Sequence, residues 1–311
     1  MKIVFMGTPQ AAVPSLERIL RDGHDVVAVY TQPDRPSGRG NKIVYSPVKQ
    51  CAMEHSLPVL QPTKLKTDDA LKTFQSHDAD VAVVVAYGRI LPESFLGAYP
   101  RGAINVHFSL LPKYRGAAPV NWAIVNGEAE TGITTMQMDT GLDTGDILLQ
   151  KATEIGDEET AVDLMTRLSQ LGAELLSETL TKLNELKPQP QDHSRATLAP
   201  IMKREDGLTD WLMPASEIAN RVRGFQPFPT AFTSYGDAKV TIWKARVEDI
   251  TVDCAAGQII EAKGDNLIVT CSGGTSLRIF EIQHEGKRRM TTRDFLNGCS
   301  IKVGDRFGTL T

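Results

Sequence analysis

The chain has 311 residues, 41% hydrophobic and 23% charged, with a formal net charge of −4. That length suits two domains, each able to bury a core; no run of about 18 apolar residues offers a membrane span, and the acidic balance does not advertise a nucleic-acid binder. Cys51, Cys254, Cys271 and Cys299 are far apart with no CxxC pair, which excludes a disulfide framework and suggests buried thiols in a reducing compartment, with no metal site.

The chain opens on MKIVFMG, without the h-region of a secretory signal or the Arg/Ser-rich helix of a transit peptide, so a cytoplasmic protein is expected. Lys2–Met6 reads as a buried parallel strand. A helical pattern from Ala11 to about Gly23 follows, then a strand over Asp25–Thr31, together a βαβ unit. The turn carries Gly7 alone and lacks GxGxxG, which argues against a dinucleotide site. Gln32–Lys49 (QPDRPSGRGNKIVYSPVK) mixes prolines and glycines with Arg35, Arg39, Lys42 and Lys49, and reads as a long basic loop. A loop after a strand of an α/β fold commonly overlies the ligand crevice.

Helices are expected over Pro47–His55 and Asp68–Ser76, with a short strand at Pro58–Leu60 between them. Asp80–Ala86 (DVAVVVA) reads as a fully buried strand. Gly102–His107 is a further strand, so Asn105 and His107 share one face at period two. A helix at Ala117–Asn126 and strands at Thr131–Met138 and Ile147–Thr153 follow, the last two antiparallel if their turn is short. Thr160–Leu186 has helical spacing throughout. Lys187–Pro200 is Pro-rich and polar and reads as connector. A helix over Pro214–Arg223 and five short strands (Ala231–Tyr235, Val240–Arg246, Gly257–Ala262, Asn266–Cys271, Ser276–Gln283) suggest a small closed barrel. The expected fold class is therefore α/β: a Rossmann-like, mostly parallel sheet domain at 1–188, a linker at 189–206, and an OB-like β-barrel domain at 207–311.

The chemistry concentrates between Ile104 and Asp146, in INVHFSLLPKYRGAAP and MDTGLDTGD. The imidazole of His107 can exchange protons near neutral pH. Asn105 beside it offers an amide donor for a developing oxyanion. The turn Gly141–Asp146 can bring a carboxylate, Asp143, to orient the ring. None of these is a strong nucleophile, so direct transfer between two bound substrates is favoured over a covalent enzyme intermediate; Ser109 lacks a GxSxG elbow. No second His or Cys lies near enough to suggest a metal ligand set.

INVHFSLLPKYRGAAP followed by GLDTGD closely resembles the signature of the folate-dependent formyltransferases, and the resemblance extends over essentially the whole chain. QPDRPSGRG…SPVK, VVVAYGRILP and AETGITTMQMDTGLDTGDIL are similar to the branch that acts on charged initiator tRNA. The resemblance implies 10-formyltetrahydrofolate as formyl-donating co-substrate and the α-amine of initiator methionyl-tRNA as acceptor, for translation initiation. It assigns catalysis to Asn105, His107 and Asp143, with Asn105 and protonated His107 binding the oxyanion and Asp143 holding the imidazole. Tyr87, Gly88, Ile90, Leu91, Ser109, Leu110, Leu111, Pro112 and Asp139 would cradle the folate. The loop would meet the tRNA through Arg35, Arg39, Lys42 and Lys49, with Arg39 foremost, and the second domain through Lys287, Arg288 and Arg289. No metal, DNA or membrane partner is implied, and a monomer is expected. A formyltransferase acting on an amino-sugar nucleotide, or a non-catalytic RNA-binding homologue, are the alternatives. The sequence leaves Arg115 as either structural or near the acceptor end.

Overall fold

The computed structural model describes residues 1–37 and 42–308, and the chain divides into two compact units. The first comprises residues 1–119, 130–154 and 165–200; the second comprises 120–129, 155–164 and 201–311.

Unit 1 is built on a seven-stranded sheet. Across it the strands run Ile147–Glu154, Glu130–Gln137, Ala103–His107, Val81–Val85, Lys2–Gly7, Asp25–Tyr30 and Val59–Leu60. The last five named are mutually parallel; Glu130–Gln137 lies antiparallel to both its neighbours. Val81–Val85 is buried along its whole length, as expected for a strand covered on both faces. Two of the unit's helices start where a side chain caps them. Ser46 accepts from the Lys49 amide at 3.1 Å ahead of Pro47, and Thr67 accepts from the Ala70 amide at 3.2 Å ahead of Asp68 and Asp69; such caps and first-turn acids stabilise a helix N-terminus. Strand order reverses beside Lys2–Gly7, which puts the crevice of an open α/β sheet beyond Gly7, Val85 and His107 at the carboxyl ends of the strands.

Two segments depart from the sequence expectation. The basic loop is not wholly irregular, because Arg35–Ser37 and Lys42–Val44 pair antiparallel as a short ribbon; the ribbon's one proline, Pro36, sits on an edge strand, where a missing donor is tolerated. Nor is the Pro-rich connector loose chain. Gln189 bridges Ile147, and Leu198–Ala199 pairs in parallel with Arg115–Gly116. The Ala of that pair approaches so closely that a Cβ on Gly116 (φ +125°) would lie 2.5 Å from the Ala199 carbonyl oxygen.

Unit 2 holds a second sheet in the order Ala231–Tyr235, Ala238–Glu248, Ser276–His284, Asn266–Thr270, Ile259–Lys263, with Met290–Thr291 added against Ser276–His284. All its pairings are antiparallel. The segment Arg306–Gly308 joins the two edges, bridging Gln258 on one side and Ser234 on the other, and closes the sheet into an OB-like barrel. Its core gathers Val240, Ile242, Leu267, Ile279 and Phe307, with Trp211 and the helix residues Ile218 and Val222. The helix Thr292–Gly298, which composition did not signal, packs Phe295 into the same core.

Unit 2 also draws on two stretches that precede the connector, 120–129 and 155–164. The Asn121 amide donates to the carbonyls of Gly224 (2.7 Å) and Gln226 (3.3 Å), and the rings of Trp122 and Phe225 meet edge to face at 5.8 Å. Arg223 donates to the carbonyls of Gly156 and Glu159. No helix among the described residues is long and apolar enough to cross a membrane.

Candidate active site

Asn105 and His107 lie on the central strand Ala103–His107, both 9% exposed or less. The strand is held on one side by Val81–Val85 and on the other by Glu130–Gln137, with Asn105 opposite Val84 and Met136 and His107 opposite Thr134. Two residues apart, their side chains face the same way. The Asn105 amide makes no side-chain hydrogen bond among the described residues, which leaves it available to a ligand.

The imidazole is fixed from two sides. His107 Nε2 donates to the Tyr114 carbonyl at 2.9 Å. The carbonyl can only accept, so Nε2 carries the proton and Nδ1 is the ring nitrogen left for proton exchange. Nδ1 stands 3.7 Å from Asp143 Oδ2, ion-pair range but beyond a hydrogen bond. That oxygen instead accepts from the Gly116 amide at 2.8 Å. The ring is therefore oriented by the Tyr114 carbonyl rather than directly by the carboxylate, and a gap separates Nδ1 from Asp143. Tyr114 (φ +61°) and Asp143 (φ +53°) both hold left-handed backbone, a conformation that costs a non-glycine residue of order 1–3 kcal/mol and persists only where the surroundings impose it.

Ser109 is a turn residue here. Its hydroxyl is fully buried and donates to the Lys113 carbonyl at 2.6 Å, while its own carbonyl accepts from Thr134 Oγ1. The Leu111 amide also donates to Thr134 Oγ1, and Gln150 donates to the Leu111 carbonyl. Leu111 is buried, and its bond to Pro112 is cis. Asp139 is committed to its own loop, accepting from the Gly141 amide and Thr144 Oγ1. Beyond Val85, Ala86 and Gly88 turn through positive φ; Leu91 is buried and Ile90 exposed. The Tyr87 hydroxyl is buried without a partner, while its carbonyl accepts from Thr8 Oγ1 and Gln32 Nε2. The Tyr87 ring lies in the buried cluster with Tyr30, Phe74 and Phe95, so of the two groups it is the Asn105 amide that is left for a ligand.

The basic residues divide in their engagements. Arg35 is exposed. Lys42 lies on the short ribbon, and Arg39 falls outside the described residues. Lys49 is already occupied: its Nζ meets Asp34 Oδ2 at 2.5 Å and Gln61 Oε1 at 2.9 Å, and lies 3.9 Å from the centre of the Tyr45 ring. The Lys49 and Gln61 hydrogen bonds hold the Asp34 carboxyl below its ordinary range. If the loop meets tRNA as the resemblance implies, Lys49→Gln is expected to leave the salt dependence of that binding unchanged. A phosphate contact would instead lower the slope of log affinity against log salt by about 0.7–0.9, which a binding series over salt concentration resolves. In unit 2, Lys287 and Arg288 are exposed, whereas Arg289 pairs with Glu281 and stacks on Trp243.

Of the residues that fasten the site, sequence reasoning singled out Arg115 without a role and missed Gln191. Arg115 is 6% exposed and donates to Gln191 Oε1, so its guanidinium is engaged inside the fold. Gln191, in a polar Pro-rich stretch, gave no signal. Arg89 ties Gln32 to the carbonyls of Pro62 and Thr63, and only its place after the Tyr87-Gly88 turn hinted at it. No group of three or more His, Cys, Asp or Glu that could hold a metal occurs among the described residues.

Two family models match the chain: formyl transferase over residues 1–180 and the formyl transferase C-terminal domain over 201–300. A methionyl-tRNA formyltransferase of Koribacter versatilis is 50% identical over 314 aligned positions covering all of both chains. That of Alkaliphilus oremlandii is 49% identical over 99% of this chain and 100% of its own. Among solved structures, the sugar 3N-formyl transferase WlaRD, crystallised in the presence of dTDP and 5-N-formyl-THF, matches with a TM-score of 0.67 at 19% identity, over 93% of this chain and 99% of its own. The methionyl-tRNA formyltransferase from Clostridium thermocellum matches with a TM-score of 0.58 at 18% identity, over 80% and 94%. At those identities the structural likeness speaks for the fold; the family models and the full-length relatives speak for descent, and the chain belongs to the formyl transferase family.

Proposed function

We propose that this protein transfers a formyl group to the α-amine of initiator methionyl-tRNA, for translation initiation in the cytoplasm. The observation that carries this reading is the near-half identity to methionyl-tRNA formyltransferases along the entire chain, both units included. The donor would be 10-formyltetrahydrofolate, which supplies an activated formyl group. The turn at Tyr87–Leu91 and the loops at Ser109–Pro112 and Asp139 would receive its ring.

The residues divide the work as their geometry allows. An α-amine has a pKa of about 8, so a useful fraction is neutral and nucleophilic at cell pH. As negative charge develops on the formyl oxygen, the Asn105 amide donates to it from a fixed position on the strand. Protonated His107 presents Nδ1–H into the gap beside Asp143, where it meets the same charge; it can pass that proton to the departing nitrogen as the carbon–nitrogen bond to the donor breaks, and the neutral ring can then take up the proton that the newly acylated amine releases. Asp143 stabilises the imidazolium while the Gly116 amide keeps its carboxylate in place. Arg35, Arg39, Lys42, Lys287 and Arg288 would serve phosphate and base contacts.

The test is incubation with 10-formyltetrahydrofolate and charged initiator tRNA, with an amino-sugar nucleotide as competing acceptor. Formyl-methionine is the expected product. Formylation of the sugar amine alone would give the protein to the other branch of the fold, and no turnover of either acceptor would leave an RNA-binding protein.

A further inference from the structure

The connector between residues 189 and 199 reaches both halves of the proposed catalytic pair. Gln191 is 5% exposed although it lies in a polar, Pro-rich stretch. Its Nε2 donates to the carbonyls of Asp143 at 2.9 Å and Gly145 at 2.7 Å. Its Oε1 accepts from Arg115 Nε at 3.1 Å and Nη2 at 2.6 Å, and Arg115 Nη2 also reaches His193 Nδ1 at 3.1 Å. Six residues on, Thr197 Oγ1 accepts from the Tyr114 amide at 2.9 Å, and the Thr197 carbonyl accepts from the Arg115 amide at 2.9 Å.

We infer that Gln191 is a positioning residue for formyl transfer. It holds the Asp143 turn at its working distance from His107; this rests on Asp143 acting in catalysis as proposed above. The Asp143 turn is left-handed at its central residue and rich in glycine, and such a turn does not hold its own carboxylate in one place. Asp143 and Gly145 have their carbonyls pinned by one side-chain amide, whose far end is gripped by a buried guanidinium. The amide of Gly116, one residue after that arginine, grips the Asp143 carboxylate. Arg115 therefore fixes the Asp143 turn through its side chain and lies next to the amide that fixes the carboxylate. The same connector sets Tyr114, whose carbonyl orients His107. The 3.7 Å gap between Nδ1 and Oδ2 is thus defined by a segment that contributes no reacting group.

The experiment compares Gln191→Glu and Gln191→Met in the full chain, alone and combined with Asp143→Asn. Glutamate keeps the size and the acceptor for Arg115 but loses both donors; methionine loses all polar contacts. Both single variants are expected to lower kcat about ten- to hundredfold, with KM for both substrates within about twofold, since small misplacement of a catalytic group costs about that much. In the Asp143→Asn background the same changes should lower kcat by no more than about twofold further, because residues acting as one unit are not additive. Equal losses in both backgrounds, a change in KM alone, or near-normal turnover of both Gln191 variants overturns the inference. Full turnover by Asp143→Asn itself overturns the assignment of Asp143 and the inference with it, and so is told apart from failure of Gln191 alone. Thermal melting accompanies each variant; if the methionine variant does not fold, the glutamate variant decides.

Discussion

His107→Ala is expected to lower kcat by about 10³-fold while tRNA affinity stays within a few fold. The ring supplies Nδ1, the nitrogen left facing the gap beside Asp143, and loss of a positioned acid or base costs about 10² to 10⁴ in rate. Its environment makes the prediction a clean one. The ring sits at the end of a strand that is paired on both sides through Asn105 and with Thr134 at His107 itself, so truncation leaves the strand in place. The Tyr114 carbonyl loses its donor, yet Tyr114 stays anchored through its amide to Thr197. The tRNA contacts proposed here lie on other segments. Single-turnover formylation paired with equilibrium tRNA binding checks both halves. Near-normal turnover would remove His107 from catalysis, and loss of binding alongside turnover would make its role structural.

Phe307→Ala should destabilise unit 2 by about 3–5 kcal/mol, the range for deleting a fully buried aromatic ring. Phe307 is 1% exposed. It stacks on Trp211 at 5.7 Å with 13° between ring planes and meets Tyr235 edge-on at 5.9 Å. Its amide donates to the Gly257 carbonyl at 2.9 Å, where positive φ and the absence of a side chain let the Phe307 carbonyl come close. The ring thus lies between the two bridges that close the barrel, and its loss leaves a cavity at the seam. All three tryptophans (Trp122, Trp211 and Trp243) belong to unit 2, so tryptophan fluorescence in a urea titration reports on this unit. A shift below about 1 kcal/mol would mean that the seam contributes little to closure.

Much of this was legible in the sequence because burial and period are written in residue types. DVAVVVA announces a strand covered on both faces, and Asn105 and His107 two apart on an apolar strand announce polar groups placed on purpose. Most boundaries moved by only a residue or two, as frayed ends do, while the long helix expected to reach Leu186 ends at Lys182. What stayed hidden depends on partners distant in the chain. Gln191 is indistinguishable from a solvated linker glutamine until Asp143, Gly145 and Arg115 surround it. Lys49 looks like one more cation of a basic loop until Asp34 and Gln61 are seen to hold it. Arg35–Ser37 carries a proline, and only its position at a sheet edge makes a strand there acceptable. The helix Thr292–Gly298 is too short for a periodic pattern to emerge from seven residues.

The two stretches that unit 2 takes from before the connector bear on how this protein could be rearranged by gene fusion or recombination. A cut in the connector looks like the natural seam, since composition changes there. A fragment beginning at Ile201 would carry the barrel but leave behind Asn121, which satisfies the carbonyls of Gly224 and Gln226, and Trp122, which covers Phe225. It would also lose the Gly156 and Glu159 carbonyls that receive Arg223. The portable piece is therefore not a contiguous length of gene. Shuffling at the connector would deliver a barrel with an unfinished flank, and exchange between lineages preserves the packing only when the halves travel together.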